Sequence, residues 1–328
     1  MTYQAMDSNS YIYSQLSIDS VRSLIAIHYD LAHPDSCKFY IRGLHDNYLI
    51  SENNNKYILR IYRNNWRSAE EIGFELDLLS YLGDKGAPVS FPLRTKSGEL
   101  KFETDGPEGT RSAALFAYAN GYAPGNDIST EDSLLLGKSV ANIHQQTVNF
   151  KTKYCRPILD VPYLLDQSII TIAPFIGKDA LAYIKSLQRK FHQSFQQLSK
   201  DQEKYVICTG DVNPTNFHIH ENQLTLFDFD QCGYGYRAFE IGKFISSVHN
   251  LTNKNDHASA FIAGYQQVRK LDQDEIEAIP YFELLSVIWV MAINAGNAEL
   301  IGHKWLEEPF WTRKFTILKQ LDAQIFNK

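Results

Sequence analysis

The chain has 328 residues, 44% of them hydrophobic and 13% aromatic, enough to bury a sizeable core in one large or two smaller globular domains. Its 32 basic and 38 acidic residues are mixed along the length and give a net charge of −6, which leaves no basic stripe for a phosphate backbone and argues against nucleic acid as a partner. The opening MTYQAMDSNSYIYSQLSIDSVRSL has no basic segment followed by an apolar run, and about 18 apolar residues never follow one another, so a cytoplasmic protein without a membrane partner is expected. Cys37, Cys155, Cys208 and Cys232 are far apart with no CxxC pair, which predicts buried reduced thiols and neither a zinc site nor a disulfide framework.

Helical spacing of Ile18, Val21, Leu24, Ile25 and Ile27 predicts a first helix up to Tyr29, broken by HPDS. KFYIRGLHDNYLIS and KYILRIYR, separated by ENNN, read as the two strands of a β-hairpin, the first interrupted by Gly43. SAEEIGFELDLLSYLGDKG places Ile72, Leu76, Leu79 and Leu82 on one face of a second helix, with Ser68 as N-cap and Gly83 and Gly86 near its end. LKFET and RSAALFAYA follow as strands. After the Gly- and Pro-containing stretch around residues 120–127 the character becomes helical, in EDSLLLGKSVANIHQQT, KDALAYIKSLQRKFHQSFQQLS and IPYFELLSVIWVMAINAGNAELI. This predicts an α+β lobe over residues 1–119 joined to a mostly helical lobe over residues 120–328.

A hairpin region at 204–230 interrupts those helices. KYVICT reads as a strand, GDVNPT as a loop, NFHIH as a strand, ENQ as a tight turn and LTLFDF as the returning strand. Asp211 therefore lies just past one strand end, Asn216 five positions on, and Asp228 at the end of the hairpin that folds back towards them. An Asp, an Asn carboxamide and a second Asp offer hard oxygen ligands that suit magnesium, with one carboxylate left as a base. Phosphoryl transfer needs that division of labour. Taken alone, DVNPTN is better read as an ordinary turn.

TGDVNPTN followed by LFDFDQCGYGYRAFEIG resembles the HGDxxxxN and DxD segments of the aminoglycoside phosphotransferase family, which includes choline kinases and type II homoserine kinases. The resemblance implies a two-lobed, protein-kinase-like α+β fold, with an N-terminal antiparallel-sheet lobe that binds nucleotide and a larger helical lobe that carries catalytic loop, metal hairpin and acceptor pocket. By the same resemblance Asp211 is the catalytic base, Asn216 and Asp228 are magnesium ligands, and Glu240 stands where the family has a structural Asp. Asp230 aids the metal site or caps the following loop, and the second reading is preferred. Arg60 of YILRIYR occupies the station of the kinase lysine that reaches the phosphates, and Glu75 that of its carboxylate partner, with Glu71 a competitor one turn earlier. Gly43 and Asn47 fall in the hairpin loop over the phosphates, Phe116, Ala117 and Tyr118 in the segment facing adenine, and His144 at the end of a helix, where packing is the better reading. The family's usual His before the Gly-Asp pair is Thr209 here.

The implied activity is ATP- or GTP-dependent, magnesium-dependent phosphorylation of a hydroxyl. A small-molecule acceptor in the manner of amino alcohols, homoserine or aminoglycosides ranks first, and the branch resembled most is that of homoserine-kinase-like and stress-response kinases. The alternatives are a Ser/Thr protein kinase and a nucleotide-binding pseudokinase, the last motivated by Thr209 and the Gly-poor phosphate loop. Tyr281, Trp289, Trp305 and Trp311 among Glu283, Glu307 and Glu308 suit a cationic acceptor if they line the pocket, and are core residues otherwise.

Overall fold

A computed structural model describes residues 10–31, 34–195, 198–201 and 203–326. Of the predicted features, the opening residues 1–9, His33 at the helix break and Gln196 and Gln197 near the end of the 178–199 helical run lie outside these. The chain divides into two compact units: one reaches Ser80 and resumes over Ser90–Tyr118, and the other comprises Tyr81–Val89 and Ala119 onward.

In the first unit α1 (Ile18–His28) begins at Ser17, whose hydroxyl accepts from the Ser20 N–H. The strands β1 (Ser36–Arg42), β2 (Asp46–Glu52), β3 (Asn55–Ile61), β4 (Phe102–Gly106) and β5 (Gly109–Ala117) form one antiparallel sheet in the order β1-β2-β3-β5-β4. The predicted two-stranded hairpin is thus three strands. Its first run turns at Gly43, whose N–H donates to the His45 carbonyl, and becomes β1 and β2. The ENNN turn holds Asn53 at φ 50° and Asn54 at φ 64°, two successive left-handed residues that match the strand twist and fix the register Glu52 to Asn55. One sheet face buries Tyr48, Ile50, Leu59 and Leu115 against Val21 and Ile25 of α1, each worth roughly 1.5–3 kcal/mol on full burial. The helix α2 (Ala69–Asp84) starts at a reciprocal cap: the Ser68 hydroxyl accepts from Glu71 N–H and the Glu71 carboxylate from Ser68 N–H.

The second unit contains α3 (Thr130–Gln146), α4 (Ser168–Ile172), α5 (Lys178–Ser194), the strands β6 (Tyr205–Cys208), β7 (Phe217–His220), β8 (Gln223–Leu226) and β9 (Gly233–Tyr236), then α6 (Arg237–Ser247), α7 (Lys254–Gln266), α8 (Gln273–Gly296), α9 (Ala298–Ile301) and α10 (Glu308–Phe326). The β7–β8 pair is the expected hairpin, whereas β6 pairs with β9 across the intervening loop. The strand β9 is GYGY, where Gly233 admits the Pro157 carbonyl and Gly235 admits Leu159. By length and composition α8 is the one helix among the described residues able to cross a membrane, and 67% of its apolar window is buried inside the protein. A Cβ on Gly242 would lie 2.6 Å from the Glu283 nitrogen, so glycine there lets α6 press against α8. All four cysteines are free; Cys37, Cys208 and Cys232 are buried, but Cys155 is exposed, contrary to the expectation of four buried thiols.

Candidate active site

On β3 Arg60 donates from Nη1 to Glu75 Oε1 at 3.1 Å and from Nε to Asn47 Oδ1 at 3.4 Å. Its register partner across the strand pair is Asn47, which explains the second bond. Tyr62 Oη donates to the other Glu75 oxygen at 3.2 Å, and the Arg60 guanidinium lies 5.4 Å from the Phe116 ring centroid. Glu75 is fully buried and its charge is met by these donors. Glu71, the competitor, is instead committed to the helix cap and to Arg67 at 3.2 Å. In the segment over Phe116, Ala117 and Tyr118 the Ala117 N–H donates to the Phe91 carbonyl, the Ala117 carbonyl accepts from the Ser90 hydroxyl, and the Tyr118 N–H donates to the Lys56 carbonyl.

The loop after β6 is anchored from α6. Glu240, fully buried, accepts from the Thr209 N–H, from Thr209 Oγ1 at 3.0 Å and from the Gly210 N–H at 3.0 Å. His144 lies 3.3 Å from the same carboxylate through Nε2 and 2.7 Å from Tyr265 Oη through Nδ1. Burial holds the His144 pKa below the ordinary imidazole value, against the pull of Glu240. A neutral ring that donates to Glu240 and accepts from Tyr265 satisfies every partner. Thr209 thus supplies both a backbone and a side-chain donor where the resembled family has His.

Gly210 has φ +82°, and a Cβ there would lie 2.0 Å from the Gln231 carbonyl oxygen. Only glycine permits that approach, which brings the 209–211 loop against the turn after Asp228. Asn216 Nδ2 donates to Asp211 Oδ2 at 2.8 Å and to the Asp211 carbonyl at 3.0 Å. The Phe227 N–H donates to the Asn216 carbonyl, so the residue next to Asp228 is tied to Asn216. Asp228 itself adopts φ 63°, a left-handed conformation that costs of order 1–3 kcal/mol outside glycine and clusters at working sites. With its Nδ2 turned to Asp211, Asn216 has its Oδ1 on the opposite side of the amide. That oxygen and the Asp228 carboxylate are hard donors, and they fit a magnesium or calcium ion. Asp230 is buried, with its carboxylate accepting from the Gln231 side chain at 3.2 Å and its carbonyl from Arg156.

The model of the phosphotransferase enzyme family matches residues 38–275. This chain belongs to that family. An uncharacterised protein of Synechocystis is 36% identical over 329 residues, covering 98% of this chain and 91% of its own. A homoserine kinase of Agrobacterium fabrum is 25% identical over 285 residues, 82% of each chain. Among solved structures, a complex of an amicoumacin kinase with AMP-PNP, Ca2+ and Ami has a TM-score of 0.74 at 22% identity, covering 94% of this chain and 92% of that one. The two-lobed kinase-like fold expected from the sequence is shown, and this phosphotransferase is related to kinases of small molecules.

One partner of Asp211 in this phosphotransferase is absent from the sequence reading. Lys243 Nζ lies 2.6 Å from Asp211 Oδ1, with the lysine side chain 5% exposed and that of Asp211 31%. The signal was a single lysine inside the apolar run AFEIGKFI, where burial without a partner is improbable. Of the acidic residues expected around an acceptor, Glu283 is buried and bound by Lys254 at 2.7 Å and His249 at 2.9 Å, whereas Glu307 and Glu308 are exposed. Trp289 and Trp311 are buried, and Trp305 is exposed.

Proposed function

We propose that the protein transfers the terminal phosphate of ATP or GTP, with magnesium, to a hydroxyl of a small molecule of the amino-alcohol, homoserine-like or aminoglycoside-like kind. The observation that carries this reading is the Asn216–Asp211 bond, which couples a metal-ligand candidate to the candidate base within one loop.

Asp211 is the group that orients the acceptor hydroxyl and takes its proton as the oxygen attacks phosphorus. Its two carboxylate oxygens are held separately, Oδ1 by Lys243 and Oδ2 by Asn216, so the side chain enters the reaction in one orientation. Asn216 and Asp228 would hold magnesium, which would offset the negative charge of the nucleotide phosphates. Arg60, kept in place by Glu75 and Asn47, is assigned to the phosphates, with Gly43 and Asn47 of the first hairpin beside them. Phe116, Ala117 and Tyr118 are assigned to adenine, Ala117 through its surface because its N–H is already given to Phe91. The Glu240 anchor supports an active enzyme over a pseudokinase, since Thr209 ties the loop to Glu240 through both its N–H and its hydroxyl. A cytoplasmic setting belongs to the same reading.

The test is a transfer screen with radiolabelled nucleotide against amino alcohols, homoserine, choline, aminoglycosides, sugars and a generic protein, with Asp211→Ala beside the parent. Phosphate on a small-molecule hydroxyl that disappears in the variant is expected. Transfer that survives in the variant, or that goes to the generic protein alone, overturns the assignment.

A further inference from the structure

Three residues fix how α6 lies along the loop after β6. Glu240 accepts from Thr209 and Gly210, a Cβ on Gly242 would lie 2.6 Å from the Glu283 nitrogen of α8, and Lys243, one turn on from Glu240, reaches Asp211 Oδ1 at 2.6 Å. An ammonium carries three donors, and among the described residues Asp211 is the one hydrogen-bonding or ionic partner of Lys243, whose side chain is 5% exposed. Two donors of a nearly buried cation are therefore unused, an arrangement that costs stability unless an anion meets them.

The position of the ammonium decides which anion. A hydroxyl that hands its proton to Asp211 lies about 2.6–3.2 Å from that carboxylate, so the reacting oxygen and Lys243 Nζ are neighbours on one group. Phosphorus must come within about 3–3.5 Å of the same oxygen to react. The phosphoryl group in transfer spreads negative charge over its three oxygens, and it is the anion that every turnover brings to this carboxylate. The acceptor need carry no negative charge of its own. Lys243 and Asp211 together are neutral, which leaves the ammonium of an amino alcohol unrepelled.

We propose that Lys243 is a catalytic residue, giving one N–H to Asp211 Oδ1 and another to the phosphoryl group as it passes from a nucleoside triphosphate to the acceptor. This rests on the phosphotransferase reading of Asp211 and adds a second role at the same site. In the step the acceptor oxygen forms its bond to the γ-phosphorus while the bond from phosphorus to the β–γ bridging oxygen breaks, and the electrons of that bond leave with the nucleoside diphosphate. The acceptor's proton goes to Asp211. Lys243 keeps all of its own protons and supplies a charged hydrogen bond where negative charge collects. Its helix is fixed by Glu240 on the loop and by Gly242 against α8, so the ammonium is in place before the phosphoryl group arrives.

The experiment is a double-mutant cycle in single-turnover transfer, with the full chain in excess, magnesium, labelled nucleotide and the acceptor that the screen returns, over the parent, Lys243→Met, Asp211→Asn and the double variant. Lys243→Met is expected to slow transfer at least roughly tenfold in the parent and at least roughly tenfold again beside Asp211→Asn, because the phosphoryl group loses a donor in both. Asparagine takes no proton, so a lysine that only positions the base would have no base to position. A double variant as fast as Asp211→Asn therefore overturns the proposal. A second measurement needs no turnover: affinity for ADP with aluminium fluoride, which imitates the phosphoryl group in transfer, against affinity for ADP alone. Lys243→Met and Lys243→Gln should each weaken the fluoride complex at least roughly tenfold and ADP by less than about twofold; equal weakening of both complexes, or of neither, overturns the proposal. The Asp211→Asn arm alone judges the base, so a variant that transfers at the parent's rate would sink the Asp211 reading while the fluoride complex still judges Lys243.

Discussion

Two cations of the same helix, six residues apart, are treated in opposite ways. Arg237 at the start of α6 gives Nε and Nη2 to the two oxygens of Glu275, each at 2.6 Å, and Nη2 also to the Lys270 carbonyl at 2.7 Å; the whole group is buried. Lys243 makes one ion pair, with a carboxylate still 31% exposed. The first arrangement leaves nothing for a ligand to do and reads as scaffold. The second keeps donors in reserve beside the carboxylate proposed as the base, the condition a working site requires and a folding core avoids.

The contrast can be broken from either side. The largest effect on stability is expected from Arg237→Met, which strands the buried Glu275 charge and should lower the unfolding free energy by about 3–5 kcal/mol, measured by denaturant unfolding, while the rate per folded molecule changes little. Lys243→Met should do the reverse: Asp211 retains its solvent, so the stability change stays within about 1 kcal/mol, whereas transfer falls at least roughly tenfold because Asp211 loses the donor on Oδ1. If the two variants behave alike, the distinction between scaffold and working cation fails.

A smaller effect tests the acid end of the same helix. His144 beside Glu240 is held below the ordinary imidazole pKa by burial, so it is neutral in the fold. As pH falls below 6.5 the unfolded chain takes up a proton that the fold refuses, and stability drops by at most about 1.4 kcal/mol per pH unit from this group. Above 6.5 both states are neutral and the contribution is flat. His144→Asn should remove this part of the acid limb when unfolding free energies of parent and variant are compared from pH 7 downward. Parallel curves would mean that the buried ring titrates as freely as an exposed one.

The reading from sequence went furthest where pattern and chemistry coincide. The helical periods over 18–28 and 69–84 reappear within a few residues, because apolar spacing sets the buried face and Ser68 with Glu71 sets the start. The Asp211, Asn216 and Asp228 stations could be found because a loop and a tight hairpin return the chain over a short distance. What escaped depends on long-range placement. The turn at Gly43 looked like an interruption of one strand, β9 was hidden by glycines that admit Leu159, and α8 stops at Asn297 where the apolar run continues. Lys243 follows Asp211 by 32 positions and meets it only because α6 lies along the loop, held there by Glu240 and by the close packing of Gly242 on α8.

The role of Asp211 is decided by a single-turnover transfer assay with excess enzyme, magnesium and labelled nucleotide, comparing the parent with Asp211→Asn on whichever small-molecule acceptor the screen returns. Asparagine keeps the size and the bond from Asn216 on one side but cannot take the hydroxyl's proton. A fall of roughly 10²–10⁴ in the transfer rate, with nucleotide affinity within twofold or so of the parent, is the predicted result. A variant that transfers phosphate at the parent's rate would contradict it.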